Sequence, residues 1–170
     1  MELIDLIPIF NLYEEFWKIY TKCDMTPPQY ISGDAVVDKA ILGESCEIYG
    51  EIRSSVIGSG VIIEEGAKVT NSIIMNGAVI GKGTVIDKAI IAENVVIGSN
   101  CKIGDGVEVP NKLRPDIYAF GLATIGEDSV VPSGVTVGRN TAISGITDES
   151  DYPGGCLASG ENIMKAGELL

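Results

Sequence analysis

The chain has 170 residues, a net charge of −12 at neutral pH and an apolar fraction of 45%, enough for one well-cored domain. The acidity disfavours binding to nucleic acid and to anionic membranes, because both are held mainly by Lys and Arg facing phosphate. Aromatic residues make up 6% of the chain and glycine reaches 21 residues. This bias favours β structure with frequent tight turns.

The first 26 residues differ from everything after them, and we predict that residues 1–26 form an interdomain linker. Leu12, Phe16 and Tyr20 fall at helical spacing, which favours a short amphipathic helix. One interpretation is a packing cap on the element that follows. The other is an aromatic face that docks on another domain. The second interpretation makes three aromatic residues candidates for a domain interface: Phe16, Trp17 and Tyr20.

A seven-residue phrase recurs from residue 36 onward as VVDKAIL, EIRSSVI, KVTNSII and VIDKAII, at intervals of 15 to 17 residues. Aliphatic residues recur at steps of six, six and five, whereas a sheet alternates every two residues and a helix every 3.6. Each coil must therefore have three sides. The residues of this predicted ladder are Ile31, Val37, Leu42, Ile48, Ile52, Ile57, Ile63, Val69, Ile74, Ile80, Ile86, Ile91, Ile97, Ile103 and Val109.

The spacing predicts an all-β chain folded as a single-stranded parallel β-helix, a hexapeptide-repeat solenoid over residues 27–144. Branched aliphatic side chains stack along its axis, and Gly, Asn and Asp supply positive φ angles at the corners. Single coils have no core of their own, so stability comes from stacking. A β-sandwich or barrel does not repeat a phrase at such fixed intervals.

The register breaks at PNKLRPDIYAFGLAT, and we predict an inserted loop over residues 110–124. The hexapeptide register resumes with aliphatic residues six apart, beginning at Ile125 and ending at Ile143. Residues 145–170 are Gly-rich and acidic, and we predict that they form a C-terminal cap in which Ile163 and Met164 lie as a strand over the last coil.

The run NLYEEFWKIYTK, followed by PPQYI at 27–31, resembles bacterial glucose-1-phosphate adenylyltransferases at the junction where the nucleotidyltransferase domain passes into its β-helix. The phrases DKAIL and TNSIIMNGAVIGKGTVI strengthen the resemblance, which covers almost the whole chain and is weakest in the last 25 residues. Periodicity does not determine the hand of the helix. The resemblance implies a left-handed one.

That family joins ATP to glucose 1-phosphate and makes ADP-glucose and pyrophosphate for glycogen biosynthesis. Its C-terminal β-helix serves assembly and allosteric regulation, while catalysis belongs to an N-terminal Rossmann-like domain with a Gly-rich, Arg-containing phosphate loop. No comparable segment occurs here. The resemblance thus implies a chain with no catalytic residue and no cofactor of its own, inactive alone. ATP and magnesium would belong to the parent enzyme, and the partners would be its catalytic domain and other subunits in a homo- or hetero-oligomer.

Histidine is absent from the sequence. This excludes the acyltransferases of this fold, which use histidine as a base, and its carbonic anhydrases, which need histidine as a metal ligand. The cysteines, including Cys46 and Cys101, lack the spacing of a zinc or redox pair and fit reduced thiols in a cytosol. The first ten residues lack a basic leader, and no apolar run could span a bilayer. We therefore predict a cytoplasmic protein with no metal site.

Effectors of the family are sugar phosphates and nucleotides, so an effector site needs several converging basic groups. Lys112 and Arg114 lie in the predicted loop and Arg139 lies in the closing coil, and we predict that these three form a weak anion site. Plant relatives place an activator-binding lysine where this sequence has Glu127, so that contact is not carried over. Acidic turns such as Glu64 with Glu65 are more typical of a solvated face than of a cation site.

Three readings of the function remain open from the sequence. The first is the assembly and regulatory domain of a glucose-1-phosphate adenylyltransferase subunit. The second is a freestanding β-helix scaffold that begins at Met1. The third is a domain of the non-catalytic paralogous subunit that some bacteria carry. The sequence identifies neither the effector nor the oligomeric state.

Overall fold

The computed structural model describes residues 26–165 together with Ile9, Glu15 and Phe16. The regular elements of this part of the chain are short parallel β-strands and one 3-10 helix, Glu149–Asp151. The rest of the predicted linker, with Trp17 and Tyr20, lies outside the described residues. The predicted all-β class is confirmed.

The strands form three faces of a solenoid. β2 (Val36–Leu42) and β4 (Glu51–Ile57) each run through the second and third faces. The first face contains β1 (Tyr30–Ile31), β3 (Glu47–Ile48), β5 (Ile62–Ile63), β8 (Val79–Ile80), β11 (Val96–Ile97) and β14 (Val130–Val131). The second face contains β6 (Lys68–Thr70), β9 (Val85–Asp87), β12 (Lys102–Asp105), β15 (Thr136–Gly138) and β17 (Cys156–Leu157). The third face contains β7 (Ile73–Ile74), β10 (Ala89–Ile91), β13 (Ala123–Ile125), β16 (Thr141–Ser144) and β18 (Asn162–Met164).

Each face carries one in-register ladder of inward aliphatic side chains, which together form the core. From Ile48 to Ile143 the ladder side chains are at most 2% exposed. The first ladder is Ile31, Ile48, Ile63, Ile80, Ile97 and Val131. The second is Val37, Ile52, Val69, Ile86, Ile103, Val137 and Leu157. The third is Leu42, Ile57, Ile74, Ile91, Ile125, Ile143 and Ile163. The predicted three-sided coil is confirmed.

The corner between the second and third faces holds non-glycine residues at left-handed φ angles. Asn71 and Asn140 have φ of 49° and 51°, as the prediction of Asn and Gly corners requires. Lys39, Ser54 and Lys88 adopt the same conformation, with φ between 46° and 51°. A left-handed residue with a Cβ costs about 1–2 kcal/mol. Stacking of the flanking strands must offset this strain in each coil.

The chain leaves the solenoid between Asp105, the last residue of β12, and Ala123, the first of β13. We call residues 106–122 the inserted loop. The prediction that Val109 belongs to the ladder is wrong, because Val109 lies in no strand and is 42% exposed. The departure begins at Gly104, where the pairing of β12 with β15 shifts register. Gly104 has a φ of 78°, and a Cβ there would lie 1.8 Å from the backbone oxygen of Asp87.

The two ends of the solenoid differ. At the C-terminal end, residues 145–165, called the C-terminal cap, add β17 and β18, and the predicted strand at Ile163 and Met164 pairs with Ile143 and Ser144. At the other end, the inward side chains of Ile31 and Val37 remain 45% and 37% exposed. The first coil is therefore an apolar surface that its own strands do not cover.

Candidate functional site

The structure gives each of the three predicted effector-binding residues a carboxylate partner of its own. The Lys112 ammonium pairs with Glu161, and the Arg114 guanidinium lies 3.7 Å from the carboxylate of Asp116. Arg139 lies 3.4 Å from the carboxylate of Asp87. Lys112 and Arg139 are linked through Gly160, whose backbone accepts from Lys112 N–H and donates to Arg139 C=O. The Arg114 side chain is directed to its own loop neighbour.

Arg139 is the least exposed of the three and forms the wall of a groove on the second face. Its Nε donates to the backbone oxygen of Gly104 over 3.1 Å, and its backbone N–H donates to Ser159 Oγ over 3.0 Å. The first bond orients the guanidinium, and the second fixes the backbone of Arg139 against the C-terminal cap. The groove has a volume of about 310 Å³ and is lined by Val85, Asp87, Lys102, Ile103, Gly104, Asp105 and Arg139.

The groove is lined by two cationic side chains, Lys102 and Arg139, and by two carboxylates, Asp87 and Asp105. An anion bound there would have to displace a carboxylate from Arg139 or pair with Lys102, since like charges repel it. Lys102 is absent from the sequence-based prediction. Strand register could have identified it. Lys102 pairs with Thr136, and the strand that contains Thr136 leads directly to Arg139. Lys102 is also exposed, so its ammonium group can reach a ligand.

The outward side chains distinguish the faces from one another. On the second face, the outward row includes charged residues, with Glu51 paired to Lys68 and Lys102 further along. On the third face, the outward residues carry no charge and stand in register from coil to coil. We call this set the third-face row: Ile41, Val56, Ile73, Ile90 and Thr124. Ala142 continues the register but is only 1% exposed, so the row is open to solvent only as far as Thr124.

The inserted loop also presents apolar side chains to solvent. Val107 and Phe120 are 80% and 81% exposed, and Leu113 and Ile117 are more than half exposed. A hollow of about 410 Å³ opens beside them. It is lined by Glu108, Val109, Pro110, Pro115, Tyr118, Ala119, Phe120 and Asn140. Apolar groups grouped in this way are typical of a surface that contacts another molecule.

Of the predicted domain-interface residues, only Phe16 lies within the described part of the chain. Its side chain is fully exposed. The interface role of Phe16, Trp17 and Tyr20 stays a prediction.

The acidic turns and the buried thiols have structural partners. Glu64 accepts the backbone N–H of Lys82, and Glu65 lies 3.2 Å from the ammonium of the same lysine. The thiols of Cys46 and Cys101 donate to backbone oxygens, and burial raises the pKa of the Cys46 thiol. Between residues 26 and 165, no group of three Cys, Asp or Glu side chains could hold a metal ion. In the same span, no helix combines the length and the apolar character that a membrane crossing needs.

Comparison with known families identifies the family of this chain. Residues 27–112, half of the chain, match the family described as GlmU-like, C-terminal hexapeptide. The chain belongs to this hexapeptide family. The matched region covers the stacked coils up to Asp105 and continues into the first part of the inserted loop, as far as Lys112.

Relatives with the same repeats carry the name glucose-1-phosphate adenylyltransferase. The chain is 60% identical to the one from Lachnospira eligens over 168 residues, which is 99% of this chain and 40% of the relative. It is 40% identical to the one from Acetivibrio thermocellus over 168 residues, 99% of this chain and 39% of the relative. The predicted resemblance is confirmed. The chain spans about 40% of the length of these relatives.

Among solved structures, the acetyltransferase domain of PglB from Neisseria gonorrhoeae matches with 17% identity and a TM-score of 0.25, over 79% of this chain and 56% of that one. A similarity at this level supports no functional inference.

Proposed function

We propose that this chain is the assembly and allosteric-regulatory domain of a cytoplasmic glucose-1-phosphate adenylyltransferase. The parent would convert ATP and glucose 1-phosphate to ADP-glucose and pyrophosphate for glycogen biosynthesis, using magnesium. The observation that carries the proposal is the match of 99% of this chain to 40% of an enzyme of that name at 60% identity. Catalysis would belong to the remaining part of such an enzyme.

The third-face row supports the assembly role. A chain with a net charge of −12 repels its own copies wherever charged surfaces meet. Copies of the chain can approach one another through the third face without that repulsion, since the third-face row from Ile41 to Thr124 is uncharged. Flat, aliphatic sheet faces suit symmetric contact between identical subunits. We place the subunit contact on this face.

Sedimentation of the chain tests the assembly role. We expect a dimer or larger species, and Ile73→Lys should weaken association by at least about tenfold because it buries an unpaired charge at the contact. Thr136→Lys is the matched control, since Thr136 is an outward residue of the second face. A strictly monomeric chain, or an Ile73→Lys variant that sediments like the original, contradicts the assembly role of this face.

The regulatory role depends on the basic groups at the inserted loop. Lys112, Arg114 and Arg139 stay the proposed contacts for a sugar phosphate or nucleotide, and Lys102 joins them because it lies in the Arg139 groove. Arginine fixes phosphate through paired donors, while lysine adds a mobile charge. When the effector binds, its phosphate would displace the carboxylate of Asp87 from Arg139.

Effector response in a full-length enzyme that carries this domain tests the regulatory role. Replacing Lys112, Arg114 and Arg139 together by Gln should raise the half-saturating concentration of the effector by at least about tenfold. Replacing Arg53, Lys68 and Lys82 by Gln is the control, because it changes the net charge equally at a distance from the loop. An unchanged response in the first triple variant removes the site.

The freestanding scaffold is the alternative. Genomic sequence upstream of the Met1 codon distinguishes the two, because a continuous reading frame that encodes a nucleotidyltransferase domain supports the enzyme, while an in-frame stop codon favours the scaffold. The same upstream sequence shows whether its catalytic residues are those of an active or a non-catalytic subunit.

A further inference from the structure

Three asparagines near the end of the solenoid form a polar cluster that the hexapeptide repeat does not need. Asn111 and Asn140 are only 2% and 3% exposed, and Asn162 is half-buried. Burying an amide is unfavourable unless its donors and acceptors are paired. The three side-chain amides are therefore stable in the interior only because they are hydrogen-bonded to the segments around them.

Asn111 lies in the inserted loop, and its side chain contacts two other parts of the chain. Its Nδ2 donates to the backbone oxygen of Asn140 over 2.7 Å and to Oδ1 of Asn162 over 2.8 Å. Its Oδ1 accepts the backbone N–H groups of Leu113 and Arg114, each over 2.9 Å, and Nδ2 of Asn162 over 3.2 Å. One side chain thus links the loop, a corner of the solenoid and β18 of the C-terminal cap.

Asn140 holds the two ends of the inserted loop. Its Nδ2 donates to the backbone oxygen of Val109 over 2.8 Å, and its Oδ1 accepts the backbone N–H of Gly121 over 2.7 Å. Val109 and Gly121 are separated by most of the loop. Because Asn140 is itself fixed in a left-handed corner, it sets the distance between the loop ends.

The backbone of the cap adds a second attachment. Lys112 N–H donates to the oxygen of Gly160 over 2.9 Å, and Gly160 N–H donates to the oxygen of Arg139 over 2.8 Å. A Cβ at Gly160 would lie 2.6 Å from the backbone oxygen of Pro110. The cap and the loop are therefore in direct backbone contact.

We propose that Asn111, Asn140 and Asn162 form a clasp that makes the inserted loop and the C-terminal cap one cooperative unit, which opens and closes together. The clasp supplies hydrogen bonds to backbone groups of the loop that lie outside the strand ladders. Its consequence is that Leu113, Ile117 and Phe120 are held in a fixed arrangement on the surface, so that a partner need not order the loop on binding. The clasp depends neither on an effector nor on subunit contact.

Hydrogen exchange followed by mass spectrometry on the whole chain tests the clasp. Asn162→Ala changes only the cap, yet we expect peptides covering 106–122 to exchange at least about tenfold faster. Peptides covering 61–69 should keep their protection, which shows that the solenoid is folded. Asn76→Ala is the control, because Asn76 also bonds to the coils beside it but is exposed, and it should leave 106–122 unchanged.

Unchanged protection of 106–122 in Asn162→Ala overturns the proposal. A double variant provides a second test that does not depend on the size of the first effect. If Asn111 and Asn162 act through one cluster, Asn111→Ala with Asn162→Ala should accelerate loop exchange no more than Asn111→Ala alone. Accelerations that multiply would mean that the two side chains act independently, and the clasp would be wrong.

Discussion

Val69 pairs in register with Ile86 of the next coil, and solvent reaches neither side chain. A cavity at either position is therefore lined by side chains above and below that cannot collapse without shifting their own coils. We predict that Val69→Ala lowers the free energy of unfolding by about 2 kcal/mol, from the lost methyl groups and the cavity they leave. Chemical denaturation with urea measures it.

Val85→Ala is the matched control, because it removes the same two methyl groups from an outward side chain of the same face that is 42% exposed. We expect a loss below about 1 kcal/mol for this variant. Equal losses for the two variants would contradict the division into inward ladders and outward rows.

The ladders could be read from the sequence because one inward aliphatic residue per side is a local requirement that every coil repeats. The inserted loop could not be bounded in the same way. Val109 has the spacing of a ladder residue, but the register has already shifted at Gly104 and the chain leaves the solenoid after Asp105. Lys39 and Lys88 likewise occupy left-handed corners that their residue type disfavours.

The sequence could predict which residues lie in the inserted loop, but not which side chains they contact. The placement of Lys112 and Arg114 in a loop followed from the break in register, whereas their pairing with carboxylates depends on tertiary contacts. The contact between Asn111 and Asn162 joins residues 51 positions apart, across a loop and a cap that share no repeat. No periodic signal marks such a contact.

Gly104 and Gly134 provide a test of close backbone approach, because both have a φ of 78°. A Cβ at Gly134 meets nothing within 4 Å, whereas one at Gly104 would overlap the backbone oxygen of Asp87. We predict that Gly134→Ala costs about 1–2 kcal/mol of unfolding free energy, the strain of a left-handed alanine. Gly104→Ala should cost at least about 2 kcal/mol more, since β9 and β12 must separate locally.

Thermal or urea unfolding of the two glycine variants measures the difference. Because the φ angles are equal, both variants carry the strain of a left-handed alanine, so the excess for Gly104→Ala reports mainly the overlap with Asp87. If the two variants are equally stable, the departure of the chain at Gly104 does not depend on the close approach to Asp87.

Cys156 is exposed on β17, while Cys46 and Cys101 are buried in the coils. We predict that a maleimide at pH 7 labels Cys156 at least about a hundredfold faster than the two buried thiols. Burial raises the pKa of the Cys46 thiol, which lowers its thiolate fraction as well as its access. Mass spectrometry of peptides from the native chain measures the three rates. Fast labelling of Cys46 in the folded protein would contradict the stacking of the second coil.

Asp148 stabilises the start of the C-terminal cap only while it is ionised. The Ser150 hydroxyl donates to its carboxylate over 2.6 Å, the Ser150 backbone N–H over 2.9 Å, and the Lys165 ammonium over 3.1 Å. Together they lower the pKa of Asp148 from 3.8 to about 2. Because this pKa is depressed in the folded chain, the stabilisation is complete above the unfolded value and is lost as the pH falls from about 4 to about 2.

Comparison with Asp148→Asn isolates this residue from the other carboxylates, which titrate in both proteins. We expect the difference in thermal midpoint between the original chain and Asp148→Asn to be constant above about pH 5 and to shrink steadily between about pH 4 and pH 2. Circular dichroism melts in matched buffers measure it. Since Lys165 contributes through charge, added salt should reduce the difference at pH 6. A difference that stays constant down to pH 2 would mean that the Asp148 carboxylate titrates normally and that Ser150 and Lys165 do not hold the cap through its charge.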